Sequence, residues 1–134
     1  MKILTNYDML CILLREEEPI VCTQLQLKQI ADEVRRNMQN VFGNKLHQII
    51  LYGSYARGDY DNESDIDIMV LADMSEIELK NYRKQVNRIA SKIGLNHDIM
   101  ITITLKDKQS FDSHQELSPF YRNVANEGVS IYVN

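Results

Sequence analysis

The sequence predicts an α/β domain, a small mixed β-sheet flanked by helices, and three observations lead there. Apolar runs of strand length stand at residues 46 to 52 and 65 to 71, and a run alternating apolar with polar stands at 98 to 105. Long stretches with the 3.6-residue period of amphipathic helices lie before and between them. A short polar insertion opening with Gly53-Ser54 joins the first two strands.

Taken in order, residues 6 to 17 place Tyr7, Leu10, Cys11 and Leu14 at helical spacing, with Thr5 or Asn6 as cap, and Glu16-Glu17-Glu18-Pro19 closes the segment. Thr23 and Gln26 make a capping box for a second helix. Its apolar stripe of Leu27, Ile30, Ala31, Val34, Met38 and Val41 runs to Gly43. Leu46 to Tyr52 has the continuous apolar centre of a strand buried on both faces. Asp59 to Ser64 is too polar for the core and reads as a loop or a single helical turn before the strand at 65 to 71. Ser75 and Glu78 form another capping box, followed by the stripe Leu79, Tyr82, Val86, Ile89, Ala90 and Ile93, with Gly94 as the stop. The outward face of this helix carries Lys80, Arg83, Lys84 and Arg88, a solvated face by default. The strand at 98 to 105 follows. Residues 106 to 117 read as an irregular loop, and Ser118-Pro119 then opens a helix that Gly128 ends. Residues 129 to 133 make a final strand.

The 134 residues suit one domain, with residues 1–23 as a helical extension and 24–134 as the core. Lys and Arg number 15 against 19 Asp and Glu, a net charge of -4 that argues against a protein built to grip a nucleic-acid backbone. No apolar run approaches the ~18 residues of a membrane span and the N-terminus lacks signal-peptide character, so a cytoplasmic protein is expected. Cys11 and Cys22 lack metal or redox spacing and read as buried free thiols.

The candidate site is the stretch from Gly53 to Asp67. Strand side chains alternate, so Asp65 and Asp67 share a face with Cα atoms roughly 7 Å apart. Two like charges on one face repel unless a cation sits between them. A helix joining the strands at 65 and 98 is a crossover, and crossover-linked strands run parallel, which brings Asp98 to the same sheet edge as Asp65 and Asp67. Three carboxylates are hard oxygen ligands suited to Mg²⁺ or Mn²⁺, ions that share their shell with phosphates. A Gly-Ser turn lets a phosphate approach the backbone closely, with the Ser54 hydroxyl and exposed N–H groups as donors, and Arg57 can add a charged fork. Blander readings compete: Ser54 as a capping serine, Arg57 as a solvated loop charge, Asp98 as an ordinary strand-start residue. His47, His97 and His114 are too dispersed to read as ligands.

Gly53-Ser54, ten intervening residues, then Asp65-Ile66-Asp67 resembles the GS-x10-DxD signature of the DNA polymerase β-like nucleotidyltransferase superfamily. Gly53-Ser54-Tyr55-Ala56-Arg57-Gly58 and Ser64-Asp65-Ile66-Asp67 are similar to the GSxARG and SDxD forms of its small bacterial members. The likeness extends through Asp98 to Ser118-Pro119-Phe120-Tyr121-Arg122-Asn123-Val124 and Glu127-Gly128, covering roughly residues 24 to 134. Within the superfamily the chain most resembles the minimal nucleotidyltransferases, or MNT proteins, which include antitoxins paired with HEPN-domain ribonuclease toxins.

That resemblance implies the polymerase β-like fold and transfer of a nucleoside monophosphate from an NTP to a hydroxyl, with pyrophosphate released. For antitoxins of this kind it implies adenylylation of a toxin tyrosine, with ATP as donor and a HEPN toxin as partner in a hetero-oligomer. Gly53, Ser54 and Arg57 would then bind the nucleotide, and Asp65 and Asp67 the metal. Asp98 would complete the metal site and help deprotonate the acceptor hydroxyl. The chain's length leaves little material for an acceptor pocket, which favours an acceptor on a partner's surface. A small-molecule acceptor, as for antibiotic nucleotidyltransferases, and a non-catalytic antitoxin acting by occlusion are the alternatives.

Overall fold

The computed structural model describes residues 2–3, 24–61 and 63–134. The helix expected at residues 6 to 17 and the capping role of Thr23 lie outside the described residues. A two-residue strand, β1 (Lys2–Ile3), precedes helix α1 (Gln24–Phe42), strand β2 (Leu46–Tyr52), the one-turn helix α2 (Ser54–Arg57) and strand β3 (Ile66–Ala72). Helix α3 (Glu76–His97), strand β4 (Ile101–Asp107), helices α4 (Lys108–His114) and α5 (Pro119–Glu127), and strand β5 (Val129–Val133) complete the chain.

The strands form one mixed sheet in the order β1-β5-β2-β3-β4. The expected crossover is present: β3 and β4 run parallel, with Ile66 beside Ile101 and Asp67 beside Thr102. β2 is antiparallel to both β3 and β5, and β1 adds a parallel pair to β5 that the sequence did not suggest.

Alternation along the strands divides the core in two. Ile49, Leu51, Ile68, Val70, Ile103 and Leu105 pack with Ile30, Val34 and Met38 of α1 and Leu79, Val86 and Ile93 of α3. On the other face Ile50, Met69 and Leu71 meet Phe111 of α4 and Val124 of α5. Each such aliphatic taken from water contributes about 1.5–3 kcal/mol, so helices cover both faces of the sheet. No helix among the described residues is long and apolar enough to cross a membrane.

Three expectations need correction. Residues 106 to 117 are not a loop: β4 runs to Asp107, whose carboxylate accepts from the Ser110 N–H at 2.9 Å and starts α4. Phe111, fully buried, holds that helix to the sheet despite its polar composition. Asp59 to Ser64 takes the loop alternative among the described residues, and a helical turn stands ahead of it in the Gly-Ser turn itself.

Nor does Gly94 end α3. It lies inside the helix because a side chain there would collide with the Ile99 carbonyl as the chain folds back across the last turn. The stop falls on Asp98, the one described non-glycine residue with positive φ, at φ 53° and ψ 45°. Asp98 therefore terminates α3 instead of beginning β4, which starts three residues later at Ile101.

A carboxylate at a helix C-terminus opposes the helix dipole, and the left-handed conformation costs a side chain about 1–2 kcal/mol. Asp98→Gly should accordingly raise stability by about 1 kcal/mol, read as a higher Tm in thermal unfolding. An unchanged or lower Tm would mean that the aspartate makes a compensating contact.

Candidate active site

The turn after β2 is built around Gly53, at φ 76° and ψ −157°, a conformation open to glycine alone. Its carbonyl accepts from the Ala56 and Arg57 N–H groups, each at 3.1 Å, and the Ser54 carbonyl accepts from Gly58 and Asp59 at 2.9 and 3.1 Å. These bonds close α2 on itself and place Ser54 at its first position, upstream of the bonded ring. Tyr55 is buried beneath the turn and stacks on Tyr60 with ring centroids 4.3 Å apart.

The second reason for glycine is Asp67. A Cβ added at Gly53 would run into the Asp67 carboxylate, so the turn and the second aspartate are in direct contact. Asp67 lies opposite Tyr52 on β2 and beside Thr102 on β4, on the sheet face covered by α4 and α5. Burial raises the Asp67 carboxyl above the usual carboxylate range, Asp65 raises it further, and Arg57 pulls it back. The Tyr52 phenol is likewise raised, first by burial and also by Asp67, although its bond to Thr104 Oγ1 at 3.3 Å opposes the shift. Its ring meets Phe120 of α5 edge to face at 5.7 Å.

Asp65 emerges just ahead of β3, exposed, after a loop stitched by Asp61: the Asp61 carboxylate accepts from the Glu63 N–H at 2.8 Å, and its own N–H reaches the Ser64 hydroxyl at 2.9 Å. The Ile66 N–H, between the two aspartates, donates to the Met100 carbonyl at 3.0 Å and fixes the strand end against the entry to β4.

Arg57 is exposed at the end of α2. Its Nε meets Asp59 Oδ2 at 3.2 Å and its Nη1 lies 3.7 Å from Glu127 Oε2 at the end of α5. Exposed pairs of this kind are weak because water screens them, so a polyphosphate can draw the guanidinium away from them.

Of the residues the sequence singled out, the structure brings Gly53, Ser54, Arg57, Asp65 and Asp67 to one edge of the sheet. Asp98 does not join them in a three-carboxylate cluster. The residue beside Asp67 on β4 is Thr102, and no group of three or more His, Cys, Asp or Glu side chains among the described residues is placed to hold a metal ion. Two carboxylates still suit Mg²⁺, which binds through one or two carboxylates and takes its remaining oxygens from water and substrate phosphates. Burial raises Asp67 and the Asp65 charge raises it further, and both costs are ones such a cation relieves. Thr102 and Glu127 were missed as site neighbours, since cross-strand register and a helix end meeting a turn leave no mark in local sequence.

The family described as "Polymerase beta, Nucleotidyltransferase" matches residues 29–134, a stretch holding every candidate residue. The chain belongs to this family. This nucleotidyltransferase is 33% identical over 107 residues to "Putative protein adenylyltransferase MJ0141" of Methanocaldococcus jannaschii, a match spanning 80% of the chain and 100% of that protein. A protein of the same description from that organism, MJ0604, is 33% identical over 95 residues, 71% of the chain and 87% of its own length. The crystal structure of "a putative nucleotidyltransferase from Sulfolobus solfataricus" superposes with a TM-score of 0.56 over 82% of this chain and 83% of that one. At 21% identity that last likeness is one of fold.

Proposed function

We propose that this nucleotidyltransferase moves AMP from ATP to a hydroxyl of a partner protein, a tyrosine of a HEPN ribonuclease toxin, and so acts as its antitoxin. The contact between the Gly53 turn and the Asp67 carboxylate carries the reading. It joins a phosphate-binding turn to a carboxylate pair with no side chain between them, the juxtaposition that attack on a nucleotide phosphate requires. The protein acceptor is supported by MJ0141, which this domain matches over its whole length and whose name is that of a protein adenylyltransferase.

In this reading the Ser54 hydroxyl and the N–H groups opening α2 bind the triphosphate, and Arg57 turns from Asp59 and Glu127 toward it. Asp65 and Asp67 would hold Mg²⁺, which when bound supplies charge neutralisation at the phosphates. The acceptor oxygen forms a bond to the α-phosphorus, the bond from that phosphorus to the bridging oxygen of the leaving pyrophosphate breaks, and the hydroxyl proton passes to a carboxylate at the sheet edge.

The test incubates the purified protein with a cognate HEPN protein, ATP and Mg²⁺, and reads the partner's intact mass. One or more AMP adducts on a tyrosine are expected. A protein that binds ATP yet leaves the partner unmodified at every residue would refute the reading.

A further inference from the structure

Helix α3 presents a face that neither the core nor the reaction uses. Ile77 and Leu95, one near each end, are 78% and 83% exposed, and between them Lys80, Lys84, Arg88 and Lys92 also face solvent. At 100° per residue these side chains fall on one side of the helix, the cations ~6 Å apart along its axis. None of the four has an ion-pair partner among the described residues, since the Arg83 pair with Glu76 belongs to a neighbouring row. Like charges at i,i+4 repel, and no acid follows Glu78 on the helix to offset them, in a chain whose net charge is -4.

The stripe leads into a cavity. At the C-terminal end of α3, a pocket of about 430 Å³ is lined by Ala90, Gly94, Leu95, Asp98 and Met100, among others. Met100 is 64% exposed, and its carbonyl accepts the N–H of Ile66, the residue between Asp65 and Asp67. Cavity and carboxylate pair thus share one edge of the sheet. Asp98, with no ion pair among the described residues, is the one acid in the lining.

We infer that this stripe and cavity form the docking surface for the acceptor protein, and that the part seated there is an acidic segment carrying a large apolar side chain. The inference rests on the protein-acceptor reading above and adds the chemistry by which the acceptor is recognised. Acidic side chains of the segment answer the unpaired cations, and its apolar side chain enters the cavity between Leu95 and Met100. Two exposed aliphatics flanking the cations fit a protein partner, because a phosphate backbone offers them nothing to bury against. Docking on α3 holds the acceptor at the edge where Asp65 and Asp67 emerge.

The experiment measures AMP transfer to the HEPN partner for the wild type, for Lys84→Glu with Arg88→Glu, and for Leu95→Asp. All three positions are exposed, and circular dichroism melts check the fold. Reversing two exposed charges should raise the KM for the partner protein about tenfold, with kcat and the KM for ATP unchanged, and higher salt should narrow the gap. Leu95→Asp should raise the same KM without altering the salt dependence. An unchanged partner KM, or an equal rise in the KM for ATP, overturns the inference while wild-type transfer stands. Loss of poly(U) binding with partner KM intact would assign the face to nucleic acid instead. Absence of transfer by the wild type itself refutes the acceptor reading, and the inference falls with it.

Discussion

Replacing Asp65 and Asp67 together by Asn is expected to abolish AMP transfer, by on the order of 10³-fold or more, and at the same time to stabilise the fold at neutral pH. The activity loss follows from removing both oxygen donors at the sheet edge, since a divalent ion neutralising phosphate charge contributes several kcal/mol. The gain follows from the sign of the Asp67 shift. Its folded pKa lies above the usual carboxylate value, because burial and then Asp65 penalise the ionised form. A group raised in this way favours folding while protonated and loses that contribution as pH climbs from the unfolded value through the folded one. Wild-type Tm should therefore fall relative to the double variant across that window and stay below it at neutral pH, the difference closing on the acid side of the window, where Asp67 is protonated whether folded or unfolded. Mg²⁺ should raise the wild-type Tm and leave the variant's unchanged, since only the former keeps the carboxylates proposed to hold it. A double variant less stable than wild type at neutral pH would mean that the carboxylates are held by favourable contacts in the fold. If complex formation persists and the partner stays neutralised without transfer, occlusion is the mechanism.

Most of the fold and about half of the site geometry could be read from residues alone, and the divide is physical. β2 and β5 match their expected limits, the capping box of Ser75 and Glu78 is present, and the crossover places β4 parallel to β3. All of these depend on periodicity and on side chains that act within four residues of themselves. The failures involve competition between distant atoms. Gly94 looks like a helix stop, and only the Ile99 carbonyl folding back over it shows that it provides clearance. Shifting the helix end by four residues carries Asp98 out of the strand and out of register with Asp67. Residues 108–114 look like a loop because a single buried Phe111 is too little periodicity to see. In the site, the spacing of Gly53-Ser54 from Asp65 and Asp67 is legible, but the contact between glycine and carboxylate is not. It arises from the pairing of Tyr52 with Asp67, which is a property of register.

That contact makes Gly53→Ala the most informative single substitution. Two costs coincide at this position. The backbone at φ 76° and ψ −157° is a glycine conformation worth about 1–3 kcal/mol to any other residue, and the new methyl group collides with the Asp67 carboxylate. Gly58 separates the two, because it too has a positive φ, 84°, but a side chain there meets nothing within 4 Å. Gly58→Ala should lower stability through strain alone, by about 1 kcal/mol, and leave transfer within a few fold of wild type. Gly53→Ala should cost more stability and reduce kcat/KM by about 10²-fold, because the carboxylate must move from the turn it is packed against. The collision is also removable from the other side. In an Asp67→Ala background the nearest remaining atom, the residue 67 Cβ, would sit at 3.4 Å, an ordinary contact. The stability penalty of Gly53→Ala should then shrink to the strain alone, leaving a coupling of roughly 0.5–3 kcal/mol between positions 53 and 67 in a chemical-denaturation cycle. Strictly additive penalties would show that the turn and the aspartate do not touch in solution, and the proposed nucleotide and metal halves of the site would then have to be assembled by the substrate.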